Sequence, residues 1–163
     1  MKIDSIDLQL SRIPLPKGPW GDQIHKVTDI EIILADITTD TGLVGTGFSH
    51  TSGVGGRMMI AALEELIPSL IGREVNPRGV WHDAWQHLRD NGPGGTTTLA
   101  LAAIDIALWD LLGKKYSLSL PDLLGRVRDS VPLYGSGINL NLSAEEVVEQ
   151  VKGWRADGYF AAK

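Results

Sequence analysis

Apolar and polar residues alternate over residues 3–11. Ile6, Leu8 and Leu10 fall on one side and Asp7 and Gln9 on the other, the two-residue period of a half-buried strand. Residues 28–38 carry Ile30, Ile32, Ile33, Leu34 and Ile37 and predict a second strand. Thr39-Asp40-Thr41-Gly42 then predicts a hairpin turn in which glycine supplies a positive φ. Residues 43–48 return as a third strand, and Gly45 and Gly47 within it point to a bulge or a close backbone approach. An antiparallel three-stranded sheet therefore opens the chain. The period then lengthens. Met59, Leu63, Leu66, Ile67 and Leu70 share one face of a predicted helix over 57–71, which Pro68 should kink or end and Gly72 should stop. Asn76-Pro77 reads as N-cap and first-turn proline of a helix to about Asp90, with Val80, Trp81, Ala84, Trp85 and Leu88 inward.

The strongest helical pattern follows. Leu101, Ile104, Leu108 and Leu111 recur at helical spacing beside a strip of Ala100, Ala103 and Ala107. Small residues on a helix face mean that another element comes close. Thr96, Thr97 and Thr98 offer N-caps, and Lys114 and Lys115 suit a helix C-terminus. Asp105 and Asp110 are five apart and so lie on different faces. Pro121 opens a short further helix that Gly125 closes. Beyond it, residues 131–134 predict a short strand. Ser143-Ala144-Glu145-Glu146 forms a capping box, the helix it starts carries Val147, Val148, Val151 and Trp154, and Gly158 is its C′ residue. Residues 159–162 begin another strand. A strand–helix–strand crossover implies parallel pairing, and one such pair is not a stable sheet alone, so the pattern reads as a chain broken off at Lys163.

Glycines cluster at 42–56 and 92–95, predicting tight turns and mobile loops. Pro14, Pro16, Gly18, Pro19 and Gly21 make residues 13–26 a long loop, and residues 49–56 form a second.

At 163 residues the chain can bury a real core. Its net charge of −5 argues against nucleic acid or an anionic membrane as principal partner. The absence of cysteine excludes disulfides, thiolate metal sites and a cysteine nucleophile, and fits a cytoplasmic protein. No secretory signal is visible after Met1-Lys2, and no stretch approaches the roughly eighteen apolar residues of a membrane span.

Generic motifs carry little. Gly45-Thr46-Gly47 lacks the third glycine of a dinucleotide loop, and Gly113-Lys114 is not a phosphate loop. His82 and His87 are five apart on a helix, too far around it to chelate one metal. His25 and His50 fall in loops and read either as solvated or as substrate-contacting histidines. Trp20 reads as a lid anchor or as packing, and Lys17 as a solvated or a substrate-binding lysine.

Residues 100–125 resemble the signature of the mandelate racemase/muconate lactonizing enzyme family of the enolase superfamily. The matching positions are Ala100, Ala102, Ala103, Ile104, Asp105, Ala107, Asp110, Gly113, Lys114, Ser119, Leu120, Leu123, Leu124 and Gly125. The resemblance implies an α+β capping domain over residues 1–128, a three-stranded antiparallel sheet followed by a helical bundle. From 129 to 163 it implies the first β-α-β unit of a truncated, modified TIM (β/α) barrel. The loops at 13–26 and 49–56 correspond to those that close over the active site in the family. Lys17, Trp20, His25 and His50 are then substrate-binding candidates.

Gly158, Tyr159 and Lys163 match the lead-in and first lysine of the family's Lys-x-Lys motif. That lysine contacts the substrate carboxylate or tunes its neighbour, and the general base would fall two residues beyond Lys163. The implied chemistry is abstraction of the α-proton of a carboxylate substrate with Mg²⁺ stabilising the enediolate, and the implied metal ligands lie outside this chain. The polar first loop, with Lys17, Asp22, Gln23 and His25, favours a hydroxylated acid substrate over an apolar one, and the leading expectation is an acid-sugar dehydratase. A racemase, epimerase or cycloisomerase of the same family is the alternative. The complete protein is expected to be a homo-oligomer, and the 163-residue chain alone to be inactive, a non-catalytic capping or interaction module.

Overall fold

The structure is a computed structural model that describes residues 1–16, 18–21, 24–92, 94–137 and 141–163. The chain divides into two compact units, one of residues 1–13 and 30–125 and one of residues 14–29 and 126–163.

The first unit is built on strands β1 (Ile3–Pro14), β4 (Asp29–Thr39) and β5 (Val44–Thr51), in the order β1-β4-β5 in an antiparallel sheet. The turn between β4 and β5 is the predicted one: Gly42 has φ 77° and its N–H donates to the Thr39 carbonyl at 2.8 Å. Register pairs Glu31 with Thr51, Ala35 with Gly47 and Ile37 with Gly45. Ile3, Ile33, Ala35 and Ile37 face the core.

Three helices build the core on that side: α3 (Thr96–Tyr116) lies against β5, and α1 (Gly56–Leu70) and α2 (Pro77–Leu88) pack on α3. Met59, Leu63, Leu66 and Leu70 of α1, Val80, Ala84 and Leu88 of α2, and Ala100, Leu101, Ala103, Ile104, Ala107, Leu108 and Leu111 of α3 form one core with the strands. Pro68 sits in the last turn of α1, which ends two residues later at Leu70. The Asn76 side chain accepts from the Gly79 N–H at the start of α2, as its sequence predicts. Trp81 departs from its inward assignment. It is 40% exposed and stacks on Trp85 with ring centroids 6.3 Å apart. A 3₁₀ turn (Arg89–Asn91) follows α2, where the sequence predicted a continuous helix.

The threonines at the start of α3 do not act as N-caps. Gly95 holds that position without a side-chain bond, and the Thr97 hydroxyl instead donates backward to the carbonyls of Gly92 (2.6 Å) and Gly94 (3.2 Å). Short helix α4 (Leu120–Leu124) is capped by Ser119 and closed by Gly125 at φ 95°. By length and composition alone α3 would suffice to cross a membrane, although it holds no long unbroken apolar run. Its apolarity has another use here, since it is the central helix of a core and is buried against β5, α1 and α2.

Among its described residues the second unit contains two short hydrogen-bonded strand pairs. Strands β2 (Trp20–Gly21) and β3 (Lys26–Val27) are antiparallel, so the segment read as an unbroken loop holds a small hairpin. Strands β6 (Tyr134–Gly135) and β7 (Ala161–Ala162) are parallel and joined through α5 (Ala144–Ala156), the expected crossover. The paired residues sit later than predicted: β6 begins at Tyr134 rather than at residue 131. The capping box is present as predicted, with Glu146 N–H donating to Ser143 Oγ and Ser143 N–H donating to Glu146 Oε2. The Trp154 ring lies over Gly135, where an added Cβ would overlap it.

Candidate functional site

The candidate residues divide between the units: His50 belongs to the first, and Trp20, His25 and Lys163 to the second. Lys17, with Asp22 and Gln23 of the same segment, lies outside the described residues.

His50 is not in a loop. It is the penultimate residue of β5, opposite Ile32 of β4. It is exposed, on the sheet face opposite the helices, and alternation puts it there: its neighbour Ser49 is buried. Trp20 is half-buried and pairs with Val27, so the β2–β3 hairpin carries it. His25 is exposed just before β3. Gly21, at φ 158°, is extended; an added Cβ there would overlap the His25 carbonyl, so the hairpin closes on a glycine. Lys163 follows β7 and its backbone N–H donates to the Gly135 carbonyl at 2.8 Å, extending the β6–β7 ladder by one bond. Its side chain is exposed.

The signature helix α3 contributes two carboxylates with different tasks. Asp110 accepts from the Thr46 N–H of β5 at 2.9 Å and pairs with Lys114 at 2.6 Å, while Lys114 Nζ also donates to the Val44 carbonyl at 2.8 Å. The i,i+4 pair thus satisfies backbone groups of an edge strand, a tertiary job that the five-residue offset from Asp105 predicted only negatively. Asp105 is half-buried near α2. Burial raises its carboxyl above the usual carboxylate range, and a hydrogen bond from Trp109 offsets this in part. Gly45 and Gly47 explain the alanine strip. An added Cβ at Gly45 would overlap the Ala107 carbonyl, and one at Gly47 the Ala103 carbonyl.

Among the described residues no group of three or more His, Asp or Glu side chains is placed to hold a metal ion. His87 lies 3.5 Å from Glu65 of α1 rather than beside His82.

The glycine-rich segment predicted to be a mobile loop is a hydrogen-bonded turn. Between β5 and α1, Arg12 Nη2 donates to the Gly53 carbonyl at 3.0 Å, and Glu31 Oε2 accepts from Thr51 Oγ1 at 3.1 Å and from the Gly56 N–H at 2.8 Å. Glu31 interrupts the run of Ile30, Ile32, Ile33 and Leu34 in β4, and that break in pattern is the available signal.

A family model for the mandelate racemase / muconate lactonizing enzyme N-terminal domain matches residues 6–125. The chain belongs to this family. It is 32% identical over 163 residues to a 3,6-anhydro-alpha-L-galactonate cycloisomerase of Streptomyces coelicolor, covering 99% of this chain and 45% of that protein. It is also 32% identical to an L-talarate/galactarate dehydratase of Salmonella typhimurium, covering 96% of this chain and 41% of the relative. Among solved structures, a magnesium-bound racemase from Streptomyces coelicolor superposes with a TM-score of 0.90 at 31% identity, over 98% of this chain and 45% of that one. An L-talarate dehydratase from Polaromonas, complexed with Mg and L-glucarate, does so with a TM-score of 0.86 at 31% identity, over 95% and 43%. The chain thus spans less than half the length of the mandelate racemase-group relatives it matches.

Proposed function

We propose that this chain is the capping portion, with the first barrel unit, of an acid-sugar dehydratase. In such an enzyme a base removes the α-proton of a sugar-acid carboxylate, the β-hydroxyl leaves as water, and the resulting enol becomes a 2-keto acid. The observation that carries the reading is the family match over 6–125 together with full-length coverage of this chain by sugar-acid enzymes. On the family resemblance, magnesium, which is bound in the Streptomyces and Polaromonas structures, would be held by acidic residues of later barrel strands. Residues 1–128 would be the cap and 129–163 the start of the barrel, whose active sites lie at the C-terminal ends of strands. Lys163 follows such a strand end, where its ammonium would hold the substrate carboxylate or lower the pKa of a neighbouring lysine. Lys17, Trp20, His25 and His50 would contact the substrate from the cap. The enzyme would be a cytoplasmic homo-oligomer with neither nucleic acid nor membrane as partner.

A cycloisomerase is the second reading, favoured by the Streptomyces relative that aligns with nearly all of this chain. Incubating the full-length protein with Mg²⁺ and a panel of hexarates, hexonates and their lactones separates the two. The dehydratase reading expects an open-chain acid to give a 2-keto acid lighter by one water, trapped with semicarbazide; a cyclic substrate opened to a 2-keto acid of unchanged mass, with the open-chain acids untouched, would replace it with the second. The 163-residue chain alone is expected to turn over nothing, and turnover by it would refute the assignment of base and metal ligands to other parts of the protein.

A further inference from the structure

We infer that Arg12 and Glu31 are positioning residues that set the turn between β5 and α1 and, through it, the affinity for substrate. The inference rests on the proposed function for its second half only.

Local sequence does not cap α1. Its N-cap is Gly55, with no side-chain hydrogen bond, and its first turn has no acidic residue. The four N–H groups at a helix start need partners, and the partial positive charge there favours an anion. Glu31 supplies both from a different element. Register places it directly across from Thr51, and its Oε2 takes the Thr51 hydroxyl and the Gly56 N–H. The approach depends on glycine: a Cβ at Gly56 would lie 2.9 Å from Glu31 Oε2 and 2.7 Å from the Leu10 side chain. On the other side Arg12, near the end of β1, holds the Gly53 carbonyl. Gly53 and Gly55 adopt φ 81° and 107°, conformations that side-chain-bearing residues rarely take.

Two ionic side chains from two strands therefore hold a six-residue turn, Glu31 at both its ends and Arg12 at Gly53 within it, and three glycines let them. The turn so held carries Val54 outward, 81% exposed. It also fixes the end of β5, where His50 stands one residue before the gripped Thr51. A turn needing only to connect β5 to α1 would need neither charge. The two charges make one conformation of the 51–56 segment persist, and a preformed turn lowers the ordering cost of binding whatever it touches.

The test uses the full-length enzyme and the variants Glu31→Ala, Glu31→Gln and Arg12→Met. Deuterium uptake of the segment spanning residues 51–57 reads the clamp directly, and kcat and KM with the best acid-sugar substrate read its consequence. Uptake should quicken by about tenfold or more in Glu31→Ala and less in Glu31→Gln, whose amide oxygen still accepts from Gly56. KM should rise about tenfold in Glu31→Ala and severalfold in Arg12→Met with kcat nearly unchanged, because the turn acts on binding rather than on proton transfer. Arg12 is exposed, so its variant should fold even where Glu31→Ala does not. Unchanged uptake in Arg12→Met together with unchanged uptake in Glu31→Ala, or in Glu31→Gln where Glu31→Ala does not fold, overturns the clamp. Quickened uptake with unchanged KM overturns the link to substrate. A wild-type enzyme inert toward every acid sugar refutes the proposed function instead, and the uptake result still decides the clamp.

Discussion

Gly47→Ala tests the packing on which the first unit depends. The added methyl would overlap the Ala103 carbonyl oxygen and crowd the Ala107 N–H at 2.5 Å, both helix backbone atoms that cannot rotate away. Restoring ordinary contact requires α3 and β5 to separate by about 1 Å or more, since non-bonded atoms sit at roughly 3.5 Å. Overpacking of this kind costs about 1–3 kcal/mol. Separation also stretches the Thr46–Asp110 and Lys114–Val44 hydrogen bonds at 2.9 and 2.8 Å, which adds about 1 kcal/mol in total, discounted because both side chains are partly solvated. The alanine gains about 0.5 kcal/mol by restricting the unfolded chain. The sum is a destabilisation of about 1.5–3.5 kcal/mol. With a urea m-value near 2 kcal/mol/M, the midpoint should fall by about 1–2 M. Gly94→Ala is the control. It makes the same chemical change where a Cβ meets nothing within 4 Å and φ is not positive, and its midpoint should stay or rise slightly. Equal midpoints for the two variants would refute the close approach of α3 to β5.

Asp105→Asn should stabilise the protein at neutral pH. Burial raises this carboxyl in the folded state, so folding binds a proton more tightly and stability falls as pH rises from the unfolded-state pKa through the raised folded one. Urea titrations across pH 3–8 should show wild type and variant converging in acid and diverging above, and parallel curves would contradict the shift. Ser143→Ala removes the reciprocal cap of α5 and should cost about 1 kcal/mol, read as faster amide exchange in the first turn of that helix. Gly153→Ala, in the interior of α5 with no atom within 4 Å of the new methyl, should slow exchange along the same helix by about 1 kcal/mol of added stability.

Family membership was legible because small residues at fixed helical spacing record a close contact. Ala100, Ala103 and Ala107 on α3 and Gly45 and Gly47 on β5 are the two halves of that contact, and each half was visible before its partner was known. The candidate site was less legible. His50 was read into a loop because the glycines around it are turn formers, yet β5 runs on to Thr51 because β4 offers it partners as far as Glu31. Residues 13–26 read as an unbroken loop because their prolines and glycines forbid long elements, and a two-residue pairing such as Trp20–Gly21 with Lys26–Val27 leaves no periodicity to detect. The threonines before α3 have the composition of N-caps, but the backbone turned at Gly95 and left Thr97 to bond Gly92 and Gly94 instead.

The sequence by itself determined the order of elements, their faces and their local caps. These depend on neighbours a few residues apart: the hairpin at Gly42, the Asn76 cap, the box at Ser143 and Glu146, and the alternation that buries Ile33, Ala35 and Ile37. Only the tertiary structure decided which charges serve the backbone of another element. Asp110 and Lys114 close the edge of β5 across 64 and 70 residues of chain, and Glu31 caps α1 from 25 residues away. Such pairings have no period, because they are set by which surfaces the packed core brings within three ångströms, and a one-dimensional pattern records only the residues that such packing requires.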